Sequence, residues 1–155
     1  MGKEIERKFL VKDTSFMASA VNSLNISQAY LSTNPDATVR IRISGQNAFL
    51  TIKSRNHGAT RDEWEYPLPL SDANDMIQTC CKSNCIEKCR YIVPFAGRFW
   101  EVDVFGGRLS GLIIAEIELE NESAEIDLPP YVGQEVTNDA RFYNSALVSA
   151  SEPPV

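Results

Sequence analysis

The amino-acid sequence predicts a mainly β protein of the α+β class, built as a closed barrel or a sandwich of about eight short antiparallel strands. Segments with the two-residue alternation of strands recur along most of the chain. Tight-turn signals, such as Gly45-Gln46-Asn47, separate neighbouring segments. Few stretches favour helices, and these are too few to cover a large open sheet.

The predicted elements follow one another without a linker, an internal repeat or a low-complexity tract. Strands are predicted over residues 4–11, 26–32, 38–44, 48–55, 62–69, 86–95, 98–107 and 112–120. Helices are predicted within residues 13–24, over 71–81 with Ser71 as the N-cap, and over about 137–149. We therefore expect one domain over residues 1–150 and a loose tail over residues 151–155.

Composition narrows the function classes. Hydrophobic residues make up 43% of the 155 residues, with seven Phe, five Tyr and two Trp, which is enough for a packed core and excludes a disordered protein. The net charge of −6 disfavours a nonspecific nucleic-acid binder. The charged N-terminus lacks the apolar region of a secretory signal, and no run of about 18 apolar residues occurs. These features predict a cytoplasmic protein without a membrane partner.

The four cysteines lie close together in the stretch "CCKSNCIEKC", as Cys80, Cys81, Cys85 and Cys89. Thiols of cytoplasmic proteins stay reduced, so a disulfide framework is not expected. A structural zinc site is an alternative, but the spacing is not the paired C-x2-C of a zinc ribbon. A thiol hydrolase would have to recruit His57, the single histidine, from a turn. Buried or half-buried thiols are the better interpretation.

The polar face of the strands is unusual because it carries charges of both signs. In "EIERKFLV", Glu4, Glu6 and Lys8 share one face, and Ile5, Arg7, Phe9 and Val11 share the other. The same alternation appears in "VRIRI", "LTIKS", "RDEWEY", "EKCRY", "WEVDV" and "AEIELE". An antiparallel sheet with one wet face is the simplest explanation of each strand alone.

In a closed barrel, however, the charged face could instead line the interior. Unpaired charges cost several kcal/mol each in a dry core, so that arrangement requires a wet lumen with a charged guest. Guanidinium and ammonium groups suit a polyanion, and they are supplied by Arg40, Arg42, Lys53, Lys88 and Arg90. Carboxylates suit hard divalent cations, and they are supplied by Glu4, Glu6, Glu116 and Glu118. A polyphosphate chelated to Mg²⁺ or Mn²⁺ meets both needs.

The order of these motifs resembles the CYTH, or triphosphate tunnel metalloenzyme, family. "EIERK" matches the family's E-x-E-x-K signature, and "RIR", "LTIK", "EKCRY", "EVDVF", "AEIELE" and "DARFYNSAL" follow in the family's order. The resemblance implies a closed eight-stranded antiparallel barrel that forms a tunnel, with a charged interior and helices outside. It also implies action on a triphosphate: tripolyphosphate, thiamine triphosphate, an RNA 5′ end, or ATP in the cyclase branch.

Carried over by position, the resemblance assigns roles to individual residues. Glu4, Glu6, Glu116 and Glu118 would bind two Mg²⁺ or Mn²⁺ ions, one bridging phosphate oxygens and one activating a water. Lys8 would act with Glu4 and Glu6 in catalysis, either orienting the water or holding the leaving phosphate. Phosphate oxygens would be bound by Lys8, Arg40, Arg42, Lys53, Lys88 and Arg90, with Arg141 closing one tunnel mouth. Glu63, Glu65, Glu101 and Asp103 are interpreted as ion-pair partners of the basic residues, with metal or water contact as the alternative.

The sequence therefore predicts a metal-dependent triphosphatase, with inorganic tripolyphosphate as the favoured substrate because 155 residues leave little insertion for reading a nucleoside. Thiamine triphosphatase and adenylyl cyclase activity are the alternatives within the family. A noncatalytic polyphosphate- or nucleotide-binding module is the alternative outside catalysis, although pure anion binding would not require so many carboxylates. The expected partner is a small-molecule triphosphate, not nucleic acid, and the expected state is a monomer or a homodimer.

Overall fold

The computed structural model describes residues 2–81 and 84–155. Its nine strands are β1 (Gly2–Val11), β2 (Asn22–Ser32), β3 (Ala37–Ser44), β4 (Asn47–Ser54), β5 (Thr60–Leu68), β6 (Cys85–Phe95), β7 (Arg98–Phe105), β8 (Ile113–Glu118) and β9 (Val132–Glu135). Its α-helices are α1 (Phe16–Ser19), α2 (Leu70–Cys80) and α3 (Asn144–Leu147). Single 3₁₀ turns lie at Gly107–Leu109 and Ala140–Phe142.

Eight antiparallel strands close into a barrel, which confirms the predicted fold class. The strands are hydrogen-bonded in the order β5-β4-β3-β2-β6-β7-β8-β1, and β1 pairs again with β5 to complete the circle. Residues 2–5 of β1 pair with β5, and residues 6–10 pair with β8. The ninth strand, β9, was not predicted from sequence and adds to β1 outside this circle.

The apolar face of the barrel points outward, so the charged face lines the interior. Side chains of β1, β6, β7 and β8, among them Phe9, Trp100 and Ile117, pack outside the barrel against Phe16 of α1 and the segment around Tyr131. On the opposite side, α2 covers Ile41 and Ala48 through Ala73. Burial of these apolar side chains on the outer face of the barrel stabilises the fold and offsets the free-energy cost of a polar interior.

The interior face changes from charged to apolar along the barrel. Ile86, Phe105 and Ile114 lie on the same faces of their strands as Lys88, Asp103 and Glu116, but they pack in an apolar cluster. Phe142, Leu147 and Val148 of the C-terminal segment complete this cluster. At this end of the barrel, apolar side chains therefore fill the side formed by β2, β6, β7 and β8.

Two of the predicted helices are much shorter than expected. Within residues 13–24 only the four residues of α1 are helical, because Asn22 and Leu24 already pair with β6. Residues 137–149 form a 3₁₀ turn and the four-residue α3, separated by Tyr143 in an extended conformation. In both segments strand pairing or core packing outweighs helix propensity.

The middle helix is close to its prediction. It begins at Leu70 with Pro69 at the N-cap position, so Ser71 lies inside the first turn instead of capping it. Pro suits this position because the first backbone N–H groups of a helix have no partner within the helix. None of the helices in the two described ranges combines the length and apolar character needed to span a membrane.

All four cysteines lie in the described residues and are free. Cys81 is buried, and Cys85 and Cys89 are half-buried, as expected for packed thiols. Cys80 is exposed, contrary to that expectation, because it ends α2 on the solvent side. Burial is the main reason that the pKa values of Cys81 and Cys85 lie above the ordinary thiol value.

Candidate active site

A cavity of about 180 Å³ lies inside the charged part of the barrel. Eleven of the twelve side chains that line it are ionisable, and the twelfth is an amide. They are Glu4, Glu6, Glu63, Glu65, Glu101, Glu116, Glu118, Arg40, Arg42, Lys53, Arg90 and Asn144. Such a lining has no affinity for an apolar ligand and suits one that carries charge.

The two signs of charge occupy opposite halves of the barrel wall. The basic lining residues come from β3, β4 and β6, which with β2 are four consecutive strands of the circle. The acidic ones come from β1, β5, β7 and β8, which are the other four. Lys8 on β1 and Arg61 on β5 are basic residues within the acidic half. A ligand in the cavity thus faces cations on one side and carboxylates on the other.

The halves meet in ion pairs at the junction between β4 and the strands β5 and β1. Lys53 Nζ lies 3.0 Å from Glu4 Oε1 and 3.3 Å from Glu63 Oε2. Arg61 Nε lies 3.2 Å from the same Glu4 oxygen and donates to it. The Glu4 carboxylate therefore pairs with two cationic side chains, Lys53 from the basic half and Arg61 from the acidic half.

At the other junction, between β6 and β7, a buried network joins two basic residues to one carboxylate. Arg90 donates from Nε and Nη2 to the two oxygens of Asp103, at 2.7 and 2.9 Å. Lys88 Nζ lies 2.7 Å from Asp103, and both side chains are completely buried. Burial raises the pKa of Asp103, but the charges of Lys88 and Arg90 outweigh it and hold that pKa well below its usual range. Burial lowers the pKa of Lys88 to about 8, against the attraction of Asp103.

Arg42 is the least compensated cation of the basic half. Its Nε and Nη2 both donate to Gln28 Oε1 at 3.3 Å, and it forms no ion pair within the described ranges. Burial, together with the nearby positive charges of Arg40 and Arg90, lowers the pKa of Arg42 to about 10. Within the described part of the chain, Arg40 has one ion pair, a long one of 3.8 Å to Glu65. An anion beside Arg42 and Arg40 would relieve this repulsion.

The acidic half contains carboxylates whose negative charges repel one another. Burial and then the negative charges of Glu4 and Glu6 raise the pKa of Glu118, and burial likewise raises that of Glu101 in spite of Arg90. Glu118 forms no ion pair with any described residue. Carboxylates that repel one another are the donor set of hard divalent cations, so these side chains fit such an ion in chemistry and charge. As they stand, no three His, Cys, Asp or Glu side chains in residues 2–81 and 84–155 converge closely enough to hold one.

Lys8 lies directly behind the acidic lining. Its ammonium is 3.7 Å from Glu6 and 3.9 Å from Glu116, and the residue is 5% exposed. Burial lowers the pKa of Lys8, but Glu116 and Glu6 outweigh that effect and the resulting pKa is raised. Lys8 is therefore a cation at neutral pH, which makes it a hydrogen-bond donor and not a proton acceptor.

Two of the sequence-predicted site residues lie away from the cavity lining. Lys88 is sealed against Asp103 and the Phe105 ring, whose centroid is 5.4 Å from its Nζ. Arg141 lies at the surface, with its side chain 64% exposed and 2.6 Å from Asp139. The remaining predicted residues line the cavity or, for Lys8, adjoin it.

The structure adds residues that the sequence reasoning had not placed at the site. A narrow neck next to the cavity is lined by Arg61 and Tyr143, and it shares Arg40, Lys53 and Asn144 with the cavity. Beyond the neck lies a mouth pocket of about 340 Å³, which includes Arg61, Tyr143 and Ser145 in its lining. Arg61 could have been found from its alternation with Glu63 and Glu65. On sequence grounds Tyr143, like Tyr30 and Tyr91, could frame a tunnel mouth or stack on a base, with packing as the alternative interpretation, whereas Asn144 carries no such signal.

Comparison with known proteins places this architecture in a family. The CYTH domain matches residues 2–146. An inorganic triphosphatase of Acetivibrio thermocellus is 43% identical over 148 residues, which cover 96% of this chain and 94% of that protein. An inorganic triphosphatase of Nitrosomonas europaea is 36% identical over 148 residues, covering 93% of this chain and 95% of that protein.

Solved structures agree with the sequence comparison. The crystal structure of an inorganic triphosphatase superposes with a TM-score of 0.70 at 33% identity and covers 95% of this chain and 98% of that one. A conserved hypothetical protein from Pyrococcus furiosus, at 20% identity and a TM-score of 0.60, shares the fold over 77% of this chain and 80% of its own. The family resemblance read from the motifs is thus confirmed, and the chain belongs to the CYTH domain family.

Proposed function

We propose that the protein hydrolyses a terminal phosphoanhydride bond of inorganic tripolyphosphate. The observation that carries this proposal is the division of the cavity into a basic half and an acidic half. A polyanion with bound divalent cations is the ligand that satisfies both halves at once. The curated relatives named inorganic triphosphatases, which this chain matches over nearly its full length, support the same reaction.

The basic half binds and orients the phosphate chain. Arg42 and Arg40 are the strongest candidates for direct contact, because their guanidinium groups are inadequately neutralised by the protein. Arg90 and Lys53 line the same cavity with most of their charge already paired. Substrate oxygens that replace weak contacts at Arg42 gain more than those that must break the short bonds of Arg90. Lys88 and Arg141 were also expected to bind phosphate, but both lie away from the cavity lining. Each would have to move to contact phosphate, or would act on it indirectly.

The acidic half would hold the metal. The residues are Glu4, Glu6, Glu116 and Glu118, and we propose Mg²⁺ or Mn²⁺, as two ions, for this set. An ion held by these residues would supply charge neutralisation for the phosphate and a bound water of lowered pKa as the nucleophile. Lys8, held as a cation between Glu6 and Glu116, stabilises negative charge at this wall and does not remove a proton from water. Glu63, Glu65 and Glu101 balance the basic residues that they contact.

A second candidate substrate class is an organic triphosphate, such as thiamine triphosphate or ATP. The mouth pocket of about 340 Å³ favours it, because its lining combines apolar Pro35 and Ala146 with the Tyr143 ring and the Asn56 amide. Ala146→Trp would fill this pocket from α3. If organic triphosphates use the pocket, this variant lowers the ratio of kcat/KM for ATP to kcat/KM for tripolyphosphate. An unchanged ratio would remove the pocket from substrate selection.

The decisive experiment measures phosphate release from tripolyphosphate, ATP and thiamine triphosphate, each with Mg²⁺ or Mn²⁺, and cyclic AMP from ATP. We expect release from tripolyphosphate that EDTA abolishes. Glu4→Gln should lower kcat by about 10²–10³, as for loss of a group that stabilises transition-state charge. Glu120→Gln is the matched control, because Glu120 lies outside the cavity and pairs at the surface with Arg98. Tight tripolyphosphate binding without any turnover would instead identify a noncatalytic binding module.

We also propose that the protein acts in the cytoplasm on small molecules, as a monomer or a homodimer, without a nucleic-acid or membrane partner. Its four free thiols, three of them at least half-buried, suit a reducing compartment. The basic groups that contact phosphate line an internal cavity and not an open groove that could track a nucleic-acid backbone. Gel filtration with light scattering determines the number of subunits.

A further inference from the structure

Lys8 is held by the C-terminal segment at both of its ends. At the backbone, Lys8 N donates to Thr137 Oγ1 at 3.0 Å, and Lys8 O accepts from Val136 N at 2.8 Å. At the side chain, Lys8 Nζ lies 5.7 Å from the centroid of the Tyr143 ring. The segment that follows β9 therefore fixes both the strand position and the ammonium of the same residue.

The position of Tyr143 is determined by anchors on both sides of it. Phe142 and Leu147 are buried in the apolar end of the barrel. Tyr143 N donates to Ala140 O at 3.2 Å, and Tyr143 O accepts from Ala146 N and Leu147 N, both at 2.9 Å. The ring is thus mounted between a 3₁₀ turn and α3, where it lines the neck of the cavity. A side chain mounted on packed elements positions its neighbour more reliably than one on a free loop.

An aromatic ring is a suitable wall for this ammonium. The two carboxylates facing Lys8, at 3.7 and 3.9 Å, are beyond normal hydrogen-bond length and do not fix its flexible four-carbon stem. The face of a ring attracts a cation without accepting a conventional hydrogen bond from it. The three N–H donors of Lys8 thereby stay available while the ammonium is kept beside Glu6 and Glu116.

We propose that Tyr143 is a positioning residue that acts through Lys8, holding its ammonium against the acidic wall of the cavity. This inference rests on the proposed function, because it assumes that the Lys8 charge assists tripolyphosphate binding and turnover. It assigns the task to the ring face and not to the hydroxyl group. Tyr143→Phe should therefore preserve the positioning of Lys8, and Tyr143→Leu should not.

The test is a double-mutant cycle with Tyr143→Leu and Lys8→Met, read by calorimetric titration of tripolyphosphate in EDTA and by steady-state kinetics with Mg²⁺. Tyr143→Leu should weaken tripolyphosphate binding about three- to tenfold, the size of a partly desolvated cation–π contact. Tyr143→Phe should stay within about twofold of wild type. In the Lys8→Met background, Tyr143→Leu should have no further effect, because the group through which it acts is gone.

Tyr91→Leu is the matched control for loss of a tyrosine ring. Tyr91 packs outside the barrel against Phe16, with ring centroids 5.4 Å apart. The Tyr91→Leu substitution should therefore leave tripolyphosphate binding unchanged. Thermal unfolding of each variant identifies any that fails to fold. Equal effects of Tyr143→Leu with and without Lys8 would overturn the inference, as would a Tyr143→Phe variant as impaired as Tyr143→Leu. A wild-type protein that neither binds nor cleaves tripolyphosphate would instead overturn the proposed function.

Discussion

The basic half of the barrel contains two pairs of basic residues, one on β3 and one on β6, the strands on either side of β2. The two pairs differ in their carboxylate partners. Lys88 and Arg90 on β6 share the buried carboxylate of Asp103 through contacts of 2.7–2.9 Å. Among the described residues, Arg40 and Arg42 on β3 have no comparable partner, and Arg42 donates to the Gln28 amide oxygen at 3.3 Å. The motifs "EKCRY" and "VRIRI" look equivalent in sequence, but the first pair has short contacts to a buried carboxylate and the second has only longer contacts among the described residues.

This difference separates stability from binding. The charge of a buried cation with a short, bidentate carboxylate partner is compensated in the folded protein, and removing the partner destabilises the fold because a buried charge is left uncompensated. A cation without a partner costs free energy in the folded protein and regains it when an anion binds. Substitutions in the two pairs should therefore affect different measurements.

Asp103→Asn should give the largest effect. The substitution keeps the shape of the side chain but leaves Lys88 and Arg90 without a counter-charge. Loss of one partner of a buried ion pair typically costs about 3–5 kcal/mol of unfolding free energy. Urea unfolding followed by circular dichroism measures this change, with the exposed Asp127→Asn as control. A loss below about 1 kcal/mol would show that the network does not stabilise the fold.

Arg42→Met should lower activity strongly while leaving the fold intact. The unpaired guanidinium is replaced by an apolar chain of similar length, so unfolding free energy should be unchanged or higher. Tripolyphosphate turnover should fall by about 10²–10³ if Arg42 stabilises charge on the transferring phosphate. Steady-state kinetics measures the expected loss of turnover, and a urea titration of the same preparation measures the unfolding free energy. Marked destabilisation with retained turnover would reverse the distinction between the two pairs.

The acid dependence of stability should also distinguish the Asp103 network. The pKa of Asp103 is held below its usual range in the folded protein, because Lys88 and Arg90 outweigh the opposing effect of burial. The ionised carboxylate therefore stabilises the fold above its unfolded pKa of about 3.9, and this contribution is lost as the pH falls towards the folded value. Below about pH 4, unfolding free energy should fall less steeply with decreasing pH in Asp103→Asn than in wild type, by up to about 1.4 kcal/mol per pH unit. Parallel slopes in the two proteins would contradict the assignment.

Arg141→Ala should give the smallest effect. The guanidinium is largely exposed and pairs with Asp139, a surface contact worth about 0–1 kcal/mol. If Arg141 closes a tunnel mouth, KM for tripolyphosphate rises without a change in unfolding free energy. From its surface position we expect a rise of less than about tenfold, well below the effect of Arg42→Met. A loss of turnover as large as that of Arg42→Met would place Arg141 among the principal phosphate ligands.

Much of the fold and of the candidate site could be predicted from local pattern. The period of two in "EIERKFLV" and "VRIRI" places Glu4 with Glu6, and Arg40 with Arg42, on one face of each strand, and the structure brings these four to one cavity. The residues that only the structure assigns to the neck of the cavity have no such periodicity. Tyr143 and Asn144 reach the neck of the cavity from an irregular segment, whose path depends on how Phe142 and Leu147 pack. The strand β9 was missed because four residues carry too little pattern to identify.

The sequence by itself determined which side chains share a face, because the alternation of a strand is a local property of its backbone. It also determined that some opposite charges lie close together, since β1 and β5 each carry both signs on one face. Only the tertiary structure decided which face is inside and which cation meets which carboxylate. Those outcomes depend on the order and register of strands far apart in the chain, as when Arg90 meets Asp103 across β6 and β7 while Arg42 meets Gln28 across β3 and β2. Partner identity, and not residue type, thus separates a cation paired with a buried carboxylate from the one that we propose to bind phosphate.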